Sequence, residues 1–321
     1  MKKYILLVAL AAISLHSLSA HAQTVTTVTF AGPSGTGLAS DQLSGVLYRP
    51  ANYTSQTGYR AVVMLHGCGG MWSNNVPGAT NSNGTPNLQN HIEKWGLKLA
   101  SEGIVALAVD SYTRRKPSSA DAEAWQDQCN SSTNPYAGAV DSYTTRVLDA
   151  QAAWSYLASD SRIDSSRIGM LGWSQGAQTA MVEAAETYRT SNTVRSGSDV
   201  TRFALTVVFY PGCGSALGFG SPSSSYWRPA HDLRMNLAEL DDLYANCNTR
   251  ASTAINTYGA TSGSGRQVLR ITYEEADHGF DNNSQTWPSG SCTWPSSDYD
   301  ADTCAMRGAD INSWIFFRDR L

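Results

Sequence analysis

The segment 172–176, Gly-Trp-Ser-Gln-Gly, has the spacing Gly-x-Ser-x-Gly. An apolar run predicts a strand over 167–172, and a helical pattern begins at about residue 175. Between a strand and a helix, small residues on both sides of a serine permit a sharp turn. That turn raises the serine Oγ above the sheet, at the N-terminus of the helix. The pattern therefore predicts Ser174 as a nucleophile, with a purely structural turn as the alternative.

A serine nucleophile needs a neighbouring base, and the histidines are few. His278 follows a predicted strand at 267–273, so it can reach over the edge of the sheet towards Ser174. His91 lies in a helical stretch and is expected at the surface. His231 precedes a predicted strand and should lie at the opposite end of the sheet. His278 is therefore the predicted base.

The base in turn needs a carboxylate to orient it, and the chain order Ser, Asp, His confines that acid to the residues between 174 and 278. The segment 238–242, Ala-Glu-Leu-Asp-Asp, follows a predicted strand at 233–238. Asp241 is the first choice, with Asp242 and then Glu239 as alternatives.

Acyl transfer also needs two N–H groups that stabilise the negative oxygen of the intermediate. A predicted strand at 61–65 ends in His66-Gly-Cys-Gly-Gly70, a turn that can present one of them. The backbone N–H groups of Cys68 and Gln175 are the candidates. His66 is expected to support the loop, and a plain glycine turn is the alternative.

The elements that would position these residues alternate between strand and helix patterns. Strands are predicted near 26–30 and 46–48 and at 61–65, 103–109, 167–172, 203–210, 233–238 and 267–273. Helices are predicted at 89–102, 139–158, from 175 and through 311–317. This alternation predicts a mostly parallel sheet covered on both faces, with the site at the carboxyl ends of its strands. Four long insertions lie beyond those ends: 68–88, 111–137, 211–231 and 281–303.

Composition excludes several classes of protein. The chain has 321 residues and a formal charge of −4, which argues against a nucleic-acid-binding protein. Hydrophobic residues make up 41%, enough for a large core. Lys2 and Lys3, an apolar run and Ala20-His21-Ala22 together predict a signal peptide over 1–22. Cleavage after Ala22 would leave one secreted or periplasmic domain, 23–321, without a membrane span.

The six cysteines all lie beyond that cleavage site. An even number in an oxidising compartment predicts disulfides, for which 15 connectivities exist. No Cys-x-x-Cys pair, metal cluster or nucleotide-binding loop is evident, so the sequence implies no metal and no cofactor.

The blocks HGCGG, GWSQG, AELDD and YEEADHGF, in this order, resemble the dienelactone hydrolase family of α/β hydrolases. The resemblance extends over most of residues 40–320 and is most specific around the histidine. It implies a mostly parallel sheet of about eight strands and ester or lactone hydrolysis without a cofactor. It places the nucleophile at Ser174, the acid at Asp241 and the base at His278. Dienelactone hydrolases proper have a cysteine where this chain has Ser174, and Ala238 replaces the usual glycine before the acid.

The cysteines are consistent with a secreted variant of this family, and their places in the chain suggest three bridges. Cys213–Cys247 would fix the acid loop, and Cys68–Cys129 would tie the oxyanion loop to the insertion that follows the next strand. Cys292–Cys304 would close the loop after the base. These pairings are hypotheses.

Signals for the substrate are weaker. Arg114-Arg115-Lys116 follows a predicted strand and could attract an anionic substrate, with a solvated loop as the alternative. Tryptophans in the insertions could line a groove, or simply pack between loops: Trp72, Trp125, Trp227, Trp287 and Trp294. Trp173 is a further candidate, because a tryptophan directly beside the serine resembles the pattern of secreted polyester hydrolases.

Three functions follow from these signals. The first is a secreted serine hydrolase that cleaves carboxylic esters through an acyl-enzyme. The second is an extracellular depolymerase of a polyester or of an anionic polyamide such as poly(aspartic acid). The third is a non-catalytic binding protein on the same fold.

Overall fold

Eight strands form one sheet in the computed structural model, which describes residues 23–129, 134–185, 203–214, 227–258, 267–282, 292 and 300–321. The strands are β1 (Thr24–Ala31), β2 (Gln42–Arg49), β3 (Tyr59–Leu65), β4 (Ile104–Asp110), β5 (Ile163–Trp173), β6 (Leu205–Phe209), β7 (Asp232–Ala238) and β8 (Val268–Tyr273). The α-helices in these ranges are α1 (Asn90–Ser101), α2 (Ala122–Gln126), α3 (Thr145–Ala158), α4 (Gln175–Ala184), α5 (Tyr244–Tyr258) and α6 (Ala301–Arg320).

The strand order is β1-β2-β4-β3-β5-β6-β7-β8. Strand β2 is antiparallel to β1 and β4, and all pairs from β4 to β8 are parallel. The chain moves from β3 outward to β4, then returns across β3 to continue on its other side from β5. Ligand sites in such sheets lie where the order reverses, at the carboxyl ends of the strands. Here that point is between β3 and β5.

Two apolar layers cover the sheet, as expected for central parallel strands. Successive side chains of β3 enter opposite layers: Val63 and Leu65 pack on one face, and Val62 and Met64 on the other. Helices α3, α4 and α5 contribute to the first layer, and α1 and α6 to the second. All seven residues of β4 are buried. The predicted parallel sheet covered on both faces is therefore confirmed.

The boundaries of two helices differ from the sequence prediction. The helix predicted from residue 139 begins at Thr145, because the Asp141 carboxylate accepts the backbone N–H groups of Thr144 and Thr145 and holds the preceding residues in a turn. The last helix begins earlier than predicted. Its N-cap is Asp300, whose side chain accepts the N–H of Thr303 at 2.7 Å. Such local caps satisfy the free N–H groups of a first helical turn.

Candidate active site

Ser174 lies on a strained turn between β5 and α4, with φ 50° and ψ −114°. A side chain at position 172 would lie 2.5 Å from the carbonyl oxygen of Gly176, and one at position 176 would overlap the carbonyl oxygen of Leu65. Glycine is therefore required at both positions for α4 to pack against β3. The Ser174 N–H donates to the carbonyl of Phe209 at 3.0 Å, which anchors the turn to β6. The result is a half-buried serine at the N-terminus of a helix.

The structure brings Ser174, His278 and Asp241 into one hydrogen-bonded chain. Ser174 Oγ is 3.0 Å from His278 Nε2, and His278 Nδ1 is 2.7 Å from Asp241 Oδ2. Because a carboxylate only accepts, Nδ1 carries the proton, and Nε2 is free to accept one from the serine. This geometry can deprotonate the serine hydroxyl as it attacks a carbonyl carbon.

The structure also separates the candidate acids. The side chain of Asp241 is 4% exposed and accepts the N–H of Leu243 at 2.9 Å, whereas Asp242 is exposed. Glu239 does not contact the histidine ring. Its carboxylate accepts the backbone N–H of Glu275 at 3.1 Å and so joins the acid loop to the histidine loop.

A buried carboxylate that the sequence analysis did not single out supports the base. Asp281 accepts the Trp173 indole N–H at 2.8 Å and the Tyr210 hydroxyl at 2.5 Å. The ring of Tyr210 lies 4.7 Å from the ring of His278, centroid to centroid. Burial, together with the Asp281 carboxylate, raises the pKa of Tyr210 well above its usual value, so its hydroxyl stays a donor. The only available signal was the position of Asp281, three residues after the histidine.

The loop after β3 lies beside the nucleophile. A side chain at Gly67 would lie 3.5 Å from Ser174 Cβ. The Cys68 carbonyl accepts the N–H of Gln128 at 2.8 Å, which fixes this loop against the insertion after β4. Gln175 is the first residue of α4, and the first N–H groups of a helix have no intrahelical partner. The Gln175 N–H therefore has no partner within the helix, and the assignment of the Cys68 N–H as the second donor stays a prediction.

His66 is buried and does not reach Ser174. Its Nδ1 lies 2.6 Å from the carbonyl oxygen of Gly67, and its Nε2 faces the N–H of Ser111 at 3.4 Å. Burial, followed by the charge of Arg146, lowers the pKa of His66 well below its usual value. A neutral ring therefore supports the loop, in the role that the sequence suggested.

Three of the predicted substrate-binding residues lie inside the protein, and those predictions are wrong. Arg115 is buried and forms two 2.7 Å hydrogen bonds with Asp149. Trp72 is buried and donates its indole N–H to Asp110 at 2.8 Å. Trp173 is buried between the sheet and α1 and binds Asp281 as described above. Each side chain satisfies a partner distant in sequence, which the local pattern could not reveal.

The rest of the basic run is more exposed than Arg115, whereas the other described tryptophans of the insertions are buried like Trp72. Arg114 and Lys116 are half-buried, and Lys116 Nζ donates to the carbonyl of Ala120 at 2.9 Å. Trp125 is buried in a small cluster with Tyr112, Ala120 and Val140, and Trp227 is buried in the core, where its indole N–H donates to the carbonyl of Met181 on α4 at 3.2 Å. The positions Trp287 and Trp294 lie outside the described residues.

His91 is also not at the surface, contrary to the sequence prediction. It is buried on α1 with its ring edge against Trp173, at a centroid distance of 4.8 Å. His231 is buried at the start of β7, and its Nε2 lies 2.7 Å from Thr206 Oγ1, far from the carboxyl ends of the strands. Neither ring therefore competes with His278 for contact with Ser174.

The structure contains the disulfides Cys68–Cys129, Cys213–Cys247 and Cys292–Cys304, the pairings that the sequence suggested. The first ties the loop after β3 to the insertion after β4. The second ties the loop after β6 to the first turns of α5, close behind Asp241. No helix in the described residues has both the length and the apolarity of a membrane span. Within the same residues, no three His, Cys, Asp or Glu side chains are grouped as metal ligands.

Comparison with known proteins identifies the family. Residues 43–315 match the model of the dienelactone hydrolase family. The chain belongs to the dienelactone hydrolase family. A search of curated proteins found no match for this chain.

Solved structures of other hydrolases share the fold. One is a dienelactone hydrolase-like promiscuous phosphotriesterase from metagenomic libraries, with a TM-score of 0.55 and 16% identity, over 92% of this chain and 98% of the other. Another is a fungal esterase from Rhizomucor miehei, with a TM-score of 0.54 and 15% identity, over 93% of this chain and 84% of the other. A third is a thermophilic esterase from Thermogutta terrifontis, with a TM-score of 0.54 and 14% identity, over 90% of this chain and 94% of the other. This dienelactone hydrolase family member is therefore a hydrolase with the predicted α/β-hydrolase fold.

Proposed function

We propose that this protein hydrolyses carboxylic esters with Ser174 as its nucleophile. The observation that carries the proposal is the chain of hydrogen bonds from Ser174 through His278 to Asp241, which starts on a strained turn at the carboxyl edge of the sheet. A serine held in this way, beside a histidine with a fixed tautomer, is suited to acyl transfer.

The reaction would proceed in two halves. Ser174 Oγ attacks the ester carbonyl carbon while its proton moves to His278 Nε2, and the carbonyl π electrons move to oxygen. The N–H groups of Cys68 and Gln175 stabilise that oxyanion, and Asp241 stabilises the imidazolium. Collapse of the intermediate expels the alcohol, which takes the proton from His278. Water then attacks the acyl-enzyme by the same route and releases the acid.

The test uses the purified protein with short p-nitrophenyl esters and a fluorophosphonate probe. We expect turnover by the wild type, one equivalent of probe on Ser174, and neither in Ser174→Ala. Ser166→Ala, an exposed serine near the start of β5, is the matched control and should retain both. Turnover by Ser174→Ala, or labelling elsewhere with activity lost, would overturn the proposal.

The proposed substrate is a neutral ester of modest size. The anionic polymer considered above depended on three adjacent cations, of which Arg115 is buried and paired with Asp149. The loops that hold Asp241 and His278 instead carry exposed carboxylates: Glu239, Asp242, Glu274, Glu275 and Asp277. Repulsion between like charges disfavours a polyanion there. Shortening of polyaspartate by the protein would contradict this choice of substrate, whereas intact polymer with ester turnover would support it.

We also propose that the protein acts outside the cytoplasm as one domain, 23–321. Three disulfides among the described residues are consistent with an oxidising compartment. The lysines, apolar run and Ala-x-Ala site of residues 1–22 have the pattern of a cleaved signal. N-terminal sequencing of protein expressed with its own leader should begin at Gln23, and a chain that begins at Met1 would contradict export by this signal.

A further inference from the structure

Arg146 lies behind the proposed oxyanion hole and is completely buried on α3. Its Nη2 donates to the carbonyl oxygen of His66 at 2.6 Å, and its Nη1 donates to Gln175 Oε1 at 2.7 Å. His66 begins the loop that carries Cys68, and Gln175 begins α4. A single guanidinium therefore joins the two segments that would supply the oxyanion donors.

A second hydrogen bond holds the Gln175 side chain against Arg146. The hydroxyl of Tyr112 donates to the same Oε1 at 2.5 Å, and the Arg146 guanidinium lies 5.4 Å from the Tyr112 ring centre. The edge of His66 packs on that ring at 4.6 Å. Two donors on one amide oxygen fix the side chain of Gln175, and with it the start of the helix.

Hydrogen bonds within the loop should strengthen the Cys68 N–H as a donor. His66 lies 2.6 Å from the carbonyl of Gly67, and the Gly70 N–H donates to the same oxygen at 3.3 Å. That carbonyl belongs to the peptide whose N–H is the Cys68 candidate donor. Hydrogen bonds accepted by a peptide oxygen make its N–H a stronger donor. Arg146 acts one peptide further back, on the carbonyl of His66, whose peptide carries the N–H of Gly67.

The charge of Arg146 also distinguishes it from its neighbour. Both of its hydrogen-bond acceptors are neutral, and the carboxylates of Asp149 and Asp110 act on its charge only through space, whereas Arg115 is hydrogen-bonded to Asp149. A buried, fixed positive charge favours negative charge that develops nearby. Arg146 can therefore favour the oxyanion without touching it.

We propose that Arg146 is a positioning residue, which holds the Cys68 loop and the start of α4 at the separation that an oxyanion needs and favours the oxyanion through its positive charge. The inference rests on the proposed function, because it assigns a role within that site. It predicts that loss of Arg146 weakens binding of the transition state and leaves binding of the ground state unchanged.

The experiment compares ester turnover with inhibition by a trifluoromethyl ketone of matching acyl chain. Ser174 Oγ would add to its carbonyl carbon, the serine proton would pass to His278 Nε2, and the electron pair of the C=O bond would become an oxyanion in the hole. In Arg146→Met we expect kcat to fall roughly 10–100-fold with KM within about twofold, somewhat less than removal of one oxyanion donor costs. The ketone Ki should rise by the same factor. Arg146→Lys, which can reach one acceptor, should recover part of both.

The matched control is Arg250→Met, which removes an equally buried guanidinium that donates to the carbonyl of Cys213. It should lower Tm and leave kcat and Ki within about threefold of the wild type. If Arg146 variants do not fold, Gln175→Met keeps the backbone N–H but removes the shared acceptor, and its Ki and kcat should change together. An unchanged Ki in every folded variant, or losses that follow Tm alone, would overturn the inference. A wild type that neither hydrolyses esters nor binds the ketone would instead refute the proposed function.

Discussion

The indole N–H of Trp173 donates to the carboxylate of Asp281 at 2.8 Å, which joins the residue before the proposed nucleophile to the loop of the proposed base. The other oxygen of Asp281 accepts the hydroxyl of Tyr210, whose ring packs on His278. The nucleophile turn, the end of β6 and the loop of the base are thus connected through one buried acid. Its contribution is geometric, because it touches neither Ser174 Oγ nor the His278 nitrogens.

Replacing Asp281 should affect both stability and rate. In Asp281→Ala, two buried donors lose their acceptor, and each such loss costs about 1–3 kcal/mol of the free energy of unfolding. We expect kcat to fall at least roughly tenfold, because His278 is no longer held over Ser174. Chemical denaturation and p-nitrophenyl ester kinetics measure the two effects. Asp277→Ala, an exposed acid in the same loop, is the control. Equal kcat values for the two variants would show that Asp281 does not position the base.

The two adjacent acids in the loop after β7 should differ sharply. Asp241→Asn replaces the carboxylate with an amide whose NH2 group can donate to Nδ1 and hold His278 in the wrong tautomer, so we expect kcat to fall about 10⁴-fold. Asp242→Asn should leave kcat within about twofold, because that side chain is exposed and does not contact the ring in the structure. Steady-state kinetics of both variants test this. A larger loss in Asp242→Asn than in Asp241→Asn would reverse the assignment of the acid.

The bridge between Cys68 and Cys129 should matter for rate as well as stability. It spans 61 residues and holds the loop whose N–H would bind the oxyanion. Replacing both cysteines with serine should cost about 3–5 kcal/mol of unfolding free energy and reduce kcat roughly tenfold. The same replacement at Cys292–Cys304, which spans 12 residues, should leave kcat unchanged. Comparable kcat losses in both double variants would indicate a general loss of stability rather than a loosened oxyanion loop.

Asp310 should make stability depend on pH. Burial raises its pKa from 3.8 to about 7, although Lys94 Nζ lies 3.1 Å from its carboxylate. A carboxyl group whose pKa is higher in the folded state binds its proton more tightly there. Folding is therefore favoured most when the group is protonated in both states, below its unfolded pKa, and the advantage is lost as pH rises towards about 7.

The test of this dependence is denaturation of the wild type and Asp310→Asn across that pH window. The unfolding free energy of the wild type should fall relative to that of the variant as pH rises from about 4 to about 7. Asp319→Asn, at an exposed site near the end of the same helix, should follow the wild-type profile. A constant difference between the wild type and Asp310→Asn would show that Asp310 does not titrate in this range.

Much of the fold could be predicted from sequence because its signals are local. The apolar runs at β3 and β4 are continuous, as in doubly covered strands, and Gly-x-Ser-x-Gly marks one particular turn between a strand and a helix. The chain order of Ser174, Asp241 and His278 limited the candidates to a few residues. What the pattern left open was the choice between Asp241 and its neighbours, because adjacent loop acids differ only in the direction of their side chains.

The errors share a physical cause. Arg115 stands in a basic run that is typical of an exposed loop, yet its guanidinium is buried because it pairs with Asp149 on α3. Trp72 and Trp173 each have an indole N–H that requires a partner when buried, and the partners, Asp110 and Asp281, lie 38 and 108 residues away. His91 is polar by type but is buried against an aromatic ring. Burial of such groups depends on long-range partners that a local pattern does not encode.

The absence of a side chain at Gly176 has a consequence for motion. Helix α4 lies so close to β3 that even a methyl group there would overlap the Leu65 carbonyl, so strand and helix must move as one body. The attacking oxygen and the turn that would receive the negative charge therefore keep their separation during thermal fluctuations. The imidazole of His278 is 38% exposed and is held by side chains, through the Asp241 hydrogen bond and the Tyr210 ring, which can adjust more easily than the packed backbone of α4 and β3. Fluctuations at this site should therefore alter the timing of proton transfer and leave the path of nucleophilic attack unchanged.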